Sequence, residues 1–187
     1  MLKIIIFASG SGTNAENIIE YFKNSTIARV SYVVSNNPKA GVLERAKRLG
    51  VSSRIFLKQE MSKPEFISFL GNNADFIVLA GFLLKIPDQM ILDFPNTIIN
   101  IHPALLPKYG GKGMYGMHVH RAVVENQEVK SGITIHYVNE NYDEGAIIFQ
   151  KSVDLTAQDT PDDVAAKIHQ LEQENFQRVI ENLLKSL

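Results

Sequence analysis

Residues 98–111 read IINIHPALLPKYGG, and two polar side chains in that run have the types and spacing for chemistry. Asn100 and His102 lie two apart, so on a β-strand both project to one face. An Asn amide can stabilise a developing oxyanion, and an imidazole moves protons near neutral pH. Pro103 ends the apolar run, which sets the pair at a strand's carboxyl end, where open α/β sheets bind ligands. A second reading fits equally: a satisfied core histidine and a turn-forming asparagine that tidy loose backbone groups.

Other groups could join them. The turn NENYDEG, residues 139–145, carries Asp143. If Asp143 met His102, its carboxylate would raise the imidazole pKa and fix the ring's orientation. Nucleophilic catalysis lacks a candidate, because the chain has no Cys and no Ser in a G-x-S-x-G elbow. A non-covalent transfer, assisted by an acid/base and an oxyanion donor, is the better chemistry. His118-x-His120 could hint at a metal, but no further ligand stands at a supporting spacing. It reads instead as a polar loop entering a helix over 119–124. His136 shares a strand face with Thr134 and Val138. His169 and Glu172, three apart on a helix, read as a solvated face.

The loop after the first apolar run is FASGSGTNAENI. Gly10-x-Gly12-x-x-Ala15 fits the loose dinucleotide pattern, in which small residues let backbone N–H groups and a helix N-terminus approach phosphate. A NAD site also wants an acid about 20 residues on. That region reads Val34-Ser35-Asn36-Asn37, without one. Thr13 and Asn14 suit a single terminal phosphate; the alternative is an ordinary turn capped by one of them.

The elements that must position these groups alternate along the chain. Strand-like runs at 3–8, 29–34, 53–56, 75–80 and 97–101 interleave with helical segments at 14–22, 42–49 and 64–70. That pattern predicts a parallel sheet covered on both faces. Runs at 131–138 and 146–153 are joined too closely for a helical crossover and are expected to be antiparallel. Thr160-Pro161-Asp162-Asp163 is a helix start, and Val164, Ile168, Leu171, Val179 and Leu183 mark a long amphipathic helix after it. The fold class expected is α/β: a Rossmann-like doubly wound, mostly parallel sheet, with antiparallel strands toward the C-terminus and a long C-terminal helix.

Composition narrows the functions. Among 187 residues, 45% are apolar, and 19 basic against 20 acidic residues are well mixed. No basic stripe for nucleic acid is present, and no run reaches the ~20 apolar residues of a membrane span. The apolar run at the N-terminus is too short for a signal peptide, so a cytoplasmic location is expected.

Taken in order, SGSGTN, AGFLLKIP, NIHPALLPKY, H-x-H-R, SGITIHYV and YDEGAIIFQ resemble the folate-dependent phosphoribosylglycinamide formyltransferase family. The match spans nearly the whole chain. The resemblance implies one formyltransferase domain over 1–187, with a phosphate-binding half to about 95 and a catalytic and folate half from about 96. It implies transfer of a formyl group from 10-formyltetrahydrofolate, as cosubstrate, to the amine of 5-phosphoribosylglycinamide in purine synthesis. Gly12, Thr13 and Asn14 would hold the phosphate, and Glu172 the glycinamide. Asn100 would bind the formyl oxygen, His102 would be the general acid/base and Asp143 its electrostatic partner. Leu83, Leu84, Lys85, Ile86 and the turn Asn139, Glu140, Asn141, Tyr142 and Asp143 would line the folate pocket with Asn100. His136 and Thr134 would stand behind the catalytic groups. Family members often carry Arg at the position of Leu84; here the nearest cation is Lys85, and Lys63 stands where others have an Arg facing the folate tail. The glycine-rich stretch 110–117 implies a mobile lid. No metal, NAD, nucleic-acid or membrane partner is implied, and the assembly expected is a monomer or homodimer. Formyl-folate enzymes acting on tRNA or on water normally need a further domain.

Overall fold

The first strand, β1 (Leu2–Phe7), shows why the sheet is covered twice. Ile4, Ile5, Ile6 and Phe7 are all fully buried, so both faces of the pleat are packed. Ile4 and Ile6 join one apolar cluster, whereas Ile5 and Phe7 join another. A computed structural model describes residues 1–186 of the chain and shows what forms the two layers.

One seven-stranded sheet runs in the order β3-β2-β1-β4-β5-β6-β7. Its further strands are β2 (Ala28–Ser35), β3 (Ser52–Ile55), β4 (Phe76–Leu79), β5 (Ile98–His102), β6 (Lys130–Tyr137) and β7 (Ile147–Asp154). The first five are mutually parallel, and β6 and β7 are antiparallel, as the short 138–146 connection requires. Helices α1 (Thr13–Phe22), α2 (Gly41–Arg48), α5 (Met117–Glu125) and α6 (Pro161–Lys185) cover one face. Helices α3 (Pro64–Asn73) and α4 (Asp88–Asp93) cover the other, over Phe56, Phe66, Leu70 and Met90.

Local chemistry sets these boundaries. Helix α6 starts on a reciprocal cap: Asp163 N–H donates to Thr160 Oγ1 at 3.3 Å, and Thr160 N–H donates to the Asp163 carboxylate at 2.9 Å. Helix α2 gives way to Gly50, whose φ of +72° suits a residue without Cβ. Helix α4 was not legible in the sequence; six residues between Pro87 and Phe94 are too few to display a helical period. Helix α5 starts at Met117, so His118 lies inside it rather than in the loop before it, and His120 lies inside it as expected. Among the described residues no helix is long and apolar enough to cross a membrane.

Strand order reverses between β1 and β4, the place where doubly wound sheets open a crevice at their carboxyl edge. The segments leaving β1, β4 and β5 all reach that edge.

Candidate active site

A cavity of about 680 Å³ opens at the crevice, lined by Ser11, Thr13 and Asn14 on one side and by Asn100, His102 and Asp143 on the other. The first side is the glycine loop. Ser9 N–H donates to the Gly81 carbonyl at 3.0 Å, Ser9 Oγ donates to Asn36 Oδ1 at 2.7 Å, and Leu83 N–H donates to Ser9 Oγ at 3.0 Å. Asn37 Nδ2 adds a bond to the Ser9 carbonyl at 3.3 Å. The two asparagines standing where a ribose-binding acid would be expected are thus occupied in clamping the loop. Gly12 is the N-cap of α1 with φ +79°, and no side chain caps the helix. Neither Thr13 nor Asn14 therefore plays the capping part. A Cβ on Gly12 would overlap Val42, so the loop sits tight against α2.

Asn14 instead reaches α6. Its Nδ2 donates to Glu172 Oε2 at 2.9 Å, which ties α1 to α6. Glu172 also takes a bond from His169 Nδ1 at 3.3 Å, and its side chain is only 13% exposed. The solvated-face reading of this helix is corrected accordingly: α6 packs along α1 and turns Glu172 inward. Glu172 in turn raises the His169 pKa above its ordinary value.

The opposite side rests on strand pairing. Asn100 pairs with His136 and His102 with Thr134 across β5 and β6, so all four share one face. His136 Nδ1 donates to the Tyr137 carbonyl at 2.8 Å, which leaves Nε2 as an acceptor for Asn100 Nδ2 at 3.2 Å. That arrangement orients the Asn100 amide and leaves its second N–H for a ligand. Thr134 Oγ1 donates to the Ala104 carbonyl at 2.7 Å and accepts from Leu106 N–H at 3.0 Å, so it fixes the exit from β5. Gln150 Nε2 reinforces it with a bond to the Leu106 carbonyl at 3.0 Å.

His102 donates from Nε2 to the Tyr109 carbonyl at 2.7 Å, and its Nδ1 faces Asp143 Oδ2 at 3.5 Å. Asp143 Oδ1 lies 3.6 Å from His136 Nε2, and Gly111 N–H donates to Oδ2 at 2.9 Å. Asp143 has φ +57°, a left-handed conformation that Asp tolerates better than most residues. Two residues on, a Cβ at Gly145 would run into the Tyr137 carbonyl, so glycine lets this turn fold back onto the histidines.

Charge and burial then compete. Burial pushes the His102 pKa down; Asp143 and the Tyr109 carbonyl push it up, but by less. The expected upward pull of the carboxylate is present and is outweighed, because the ring is only 3% exposed. His102 is therefore mainly neutral at pH 7, with a lone pair on Nδ1. Burial pushes the Asp143 pKa up, but His136 and His102 once protonated, together with the Gly111 N–H, hold it below the ordinary carboxylate value.

The residues assigned to folate divide. Leu84, Lys85, Ile86, Asn139, Asn141 and Tyr142 line a narrow slot with Asn100 and Asp143, and Phe82, Asn100, Tyr142 and Asp143 also line the main cavity. Leu83 lines the main cavity instead. Lys63, the residue before α3, and exposed Glu140 line neither. Lys85 is paired with Asp88 at 3.3 Å. Two lining residues, Ser11 and His120, carried no binding assignment in the sequence, and Lys112 to Gly116 of the glycine-rich stretch, expected as a lid, line the cavity as well. Only the H-x-H spacing pointed to His120.

Comparison with known proteins gives these contacts a context. The family model described as "Formyl transferase" matches residues 2–180. A chloroplastic phosphoribosylglycinamide formyltransferase of Arabidopsis thaliana is 38% identical over 186 residues, covering 95% of this chain and 64% of that protein, so the chain spans less than two thirds of it. A phosphoribosylglycinamide formyltransferase of Haemophilus influenzae is 34% identical over 187 residues, covering 96% of this chain and 86% of that protein. The crystal structure of glycinamide ribonucleotide transformylase 1 from Symbiobacterium toebii superposes with a TM-score of 0.89 at 30% identity, over 100% of this chain and 89% of that one.

Proposed function

The chain belongs to the formyl transferase family, and on that premise we propose that it transfers the formyl group of 10-formyltetrahydrofolate to the amine of 5-phosphoribosylglycinamide. One observation carries this reading: an amide donor, a neutral imidazole and a carboxylate converge at one end of a cavity whose other end is a phosphate-type loop. The N-terminus of α1, with Gly12, Thr13 and Asn14, takes the phosphate. Glu172 takes the glycinamide side of the substrate. The apolar walls of the slot, Leu84 and Ile86 with Phe82, suit a flat heterocycle, and Asn139 and Asn141 supply polar edges.

Asn100 donates its free amide N–H to the formyl oxygen, and that bond strengthens as the amine attacks and the oxygen becomes negative. His102 Nδ1 removes a proton from the attacking nitrogen and becomes an imidazolium held by Asp143 and the Tyr109 carbonyl. The same Nδ1–H then passes to the folate nitrogen as its bond to the formyl carbon breaks. The products are the formamide and tetrahydrofolate, with no acyl-enzyme. The neutral resting state of His102 supports this order, because a base must be free when the amine attacks. The clamp of Asn36 and Asn37 on Ser9 supports a single phosphate over a dinucleotide.

The test is an assay of the purified chain with this substrate pair, following tetrahydrofolate release. Turnover is expected; its absence across pH and substrate range would defeat the assignment.

A further inference from the structure

The H-x-H pair on α5 is not absorbed by that chemistry, and its two rings have separate fates. His118 is exposed and meets Tyr115 edge to face, at 5.1 Å between ring centroids. His120 is 6% exposed and lines the main cavity. Its Nδ1 is fully enclosed and has no hydrogen-bond partner. A proton there would be a buried donor without an acceptor, so the neutral ring carries its proton on Nε2. Burial also disfavours the cation, against the pull of Glu172 and with the push of His102, the titratable groups that bear on it. His120 therefore offers the cavity one N–H donor.

Asn14 Oδ1 is a second enclosed atom without a partner, in a side chain lining the same cavity. Asn14 bonds Glu172, whose carboxylate bears on His120, so an acceptor stands near the His120 donor in the same cavity. A ligand with its phosphate at Ser11–Asn14 and its amine at Asn100 and His102 would span the cavity that His120 lines. Hydroxyl groups, which both donate and accept, match such a mixed set.

We propose that His120 binds the pentose of the phosphorylated substrate, donating from Nε2 to a sugar oxygen. The assignment rests on the function proposed above for the identity of the ligand, but not for the presence of the site.

Titration calorimetry with ribose 5-phosphate tests it directly. His120→Gln puts an amide N–H near the position of Nε2, whereas His120→Asn places one near Nδ1. Binding should weaken roughly 10-fold in His120→Ala and His120→Asn and be largely restored in His120→Gln, as loss of one hydrogen bond implies. In turnover, the KM for the amine substrate should rise by a similar factor while the KM for the formyl donor holds. Should His120→Ala fold poorly, the Gln and Asn pair carries the test alone. Equal binding by Gln and Asn variants, or no binding of ribose 5-phosphate by the wild type, overturns the proposal. If His120-dependent binding occurs without formyl transfer, the sugar site stands and the proposed reaction falls.

Discussion

The two polar walls of the cavity are built from opposite materials. After β1, the wall is backbone, small side chains and amides, held by hydrogen bonds of Ser9, Asn36 and Asn37 and by a glycine pressed against Val42. At the end of β5 the wall is made of buried side chains, His102, His136 and Asp143, whose protons depend on one another. The clamp of the first contains no titratable group. The second consists of groups whose charge can change during a reaction. An anion is best met by fixed dipoles and a moving proton by titratable groups, so the contrast follows the division of labour proposed for the two ends.

The contrast can be broken at several points. His102→Ala and Asn100→Ala should each lower turnover by about 10²–10⁴-fold, with thermal unfolding nearly unchanged; near-normal turnover in either removes that residue from its role. Asp143→Asn keeps the shape but not the charge. About 10²-fold loss of turnover is expected, with little change in KM for the phosphorylated substrate. Gly12→Ala should act on the other wall in the opposite way. Its left-handed backbone alone costs about 1–2 kcal/mol in urea unfolding, and the KM for the phosphorylated substrate should rise more than turnover falls. A pure turnover defect there would erase the distinction between the walls.

The smallest effect expected is on stability against pH. His102 has its pKa lowered from an ordinary 6.5, so just below that value the unfolded chain binds a proton that the folded ring refuses. Its contribution is full above 6.5 and is lost as pH falls through the folded value. Asp143, lowered from 3.8, stabilises the fold above that value, and this is lost as pH falls through its own folded value. Urea midpoints should therefore fall less below pH 4 in Asp143→Asn than in the parent, whereas Gly12→Ala should keep the parental slope. Parallel curves for all three would show that Asp143 is not held as the geometry indicates.

The walls also differed in how far the sequence revealed them. The glycine loop is continuous in the chain, so its spacing displayed both the tight turn and the helix start. Asn100 and His102 shared a face by strand period alone. Their partners lay elsewhere: His136 arrives by antiparallel register, Asp143 by a turn that needs Gly145, and Gly111 by a loop 32 residues away. No local pattern carries such contacts. The net pKa of His102 was also out of reach, since burial decides it and burial belongs to the fold. Helix α6 was legible from its cap, yet the inward turn of Glu172 depended on α1 lying beside it.

The bond between Asn14 and Glu172 joins the first helix to the last, 158 residues apart. A ribosome makes the chain from the N-terminus, so the glycine loop is in being long before its partner is translated. The sheet can begin to assemble around β1 and β4, but the pocket lacks a side until α6 has emerged and docked. A growing chain is thereby kept from holding its substrate until nearly the whole of this fold has been made.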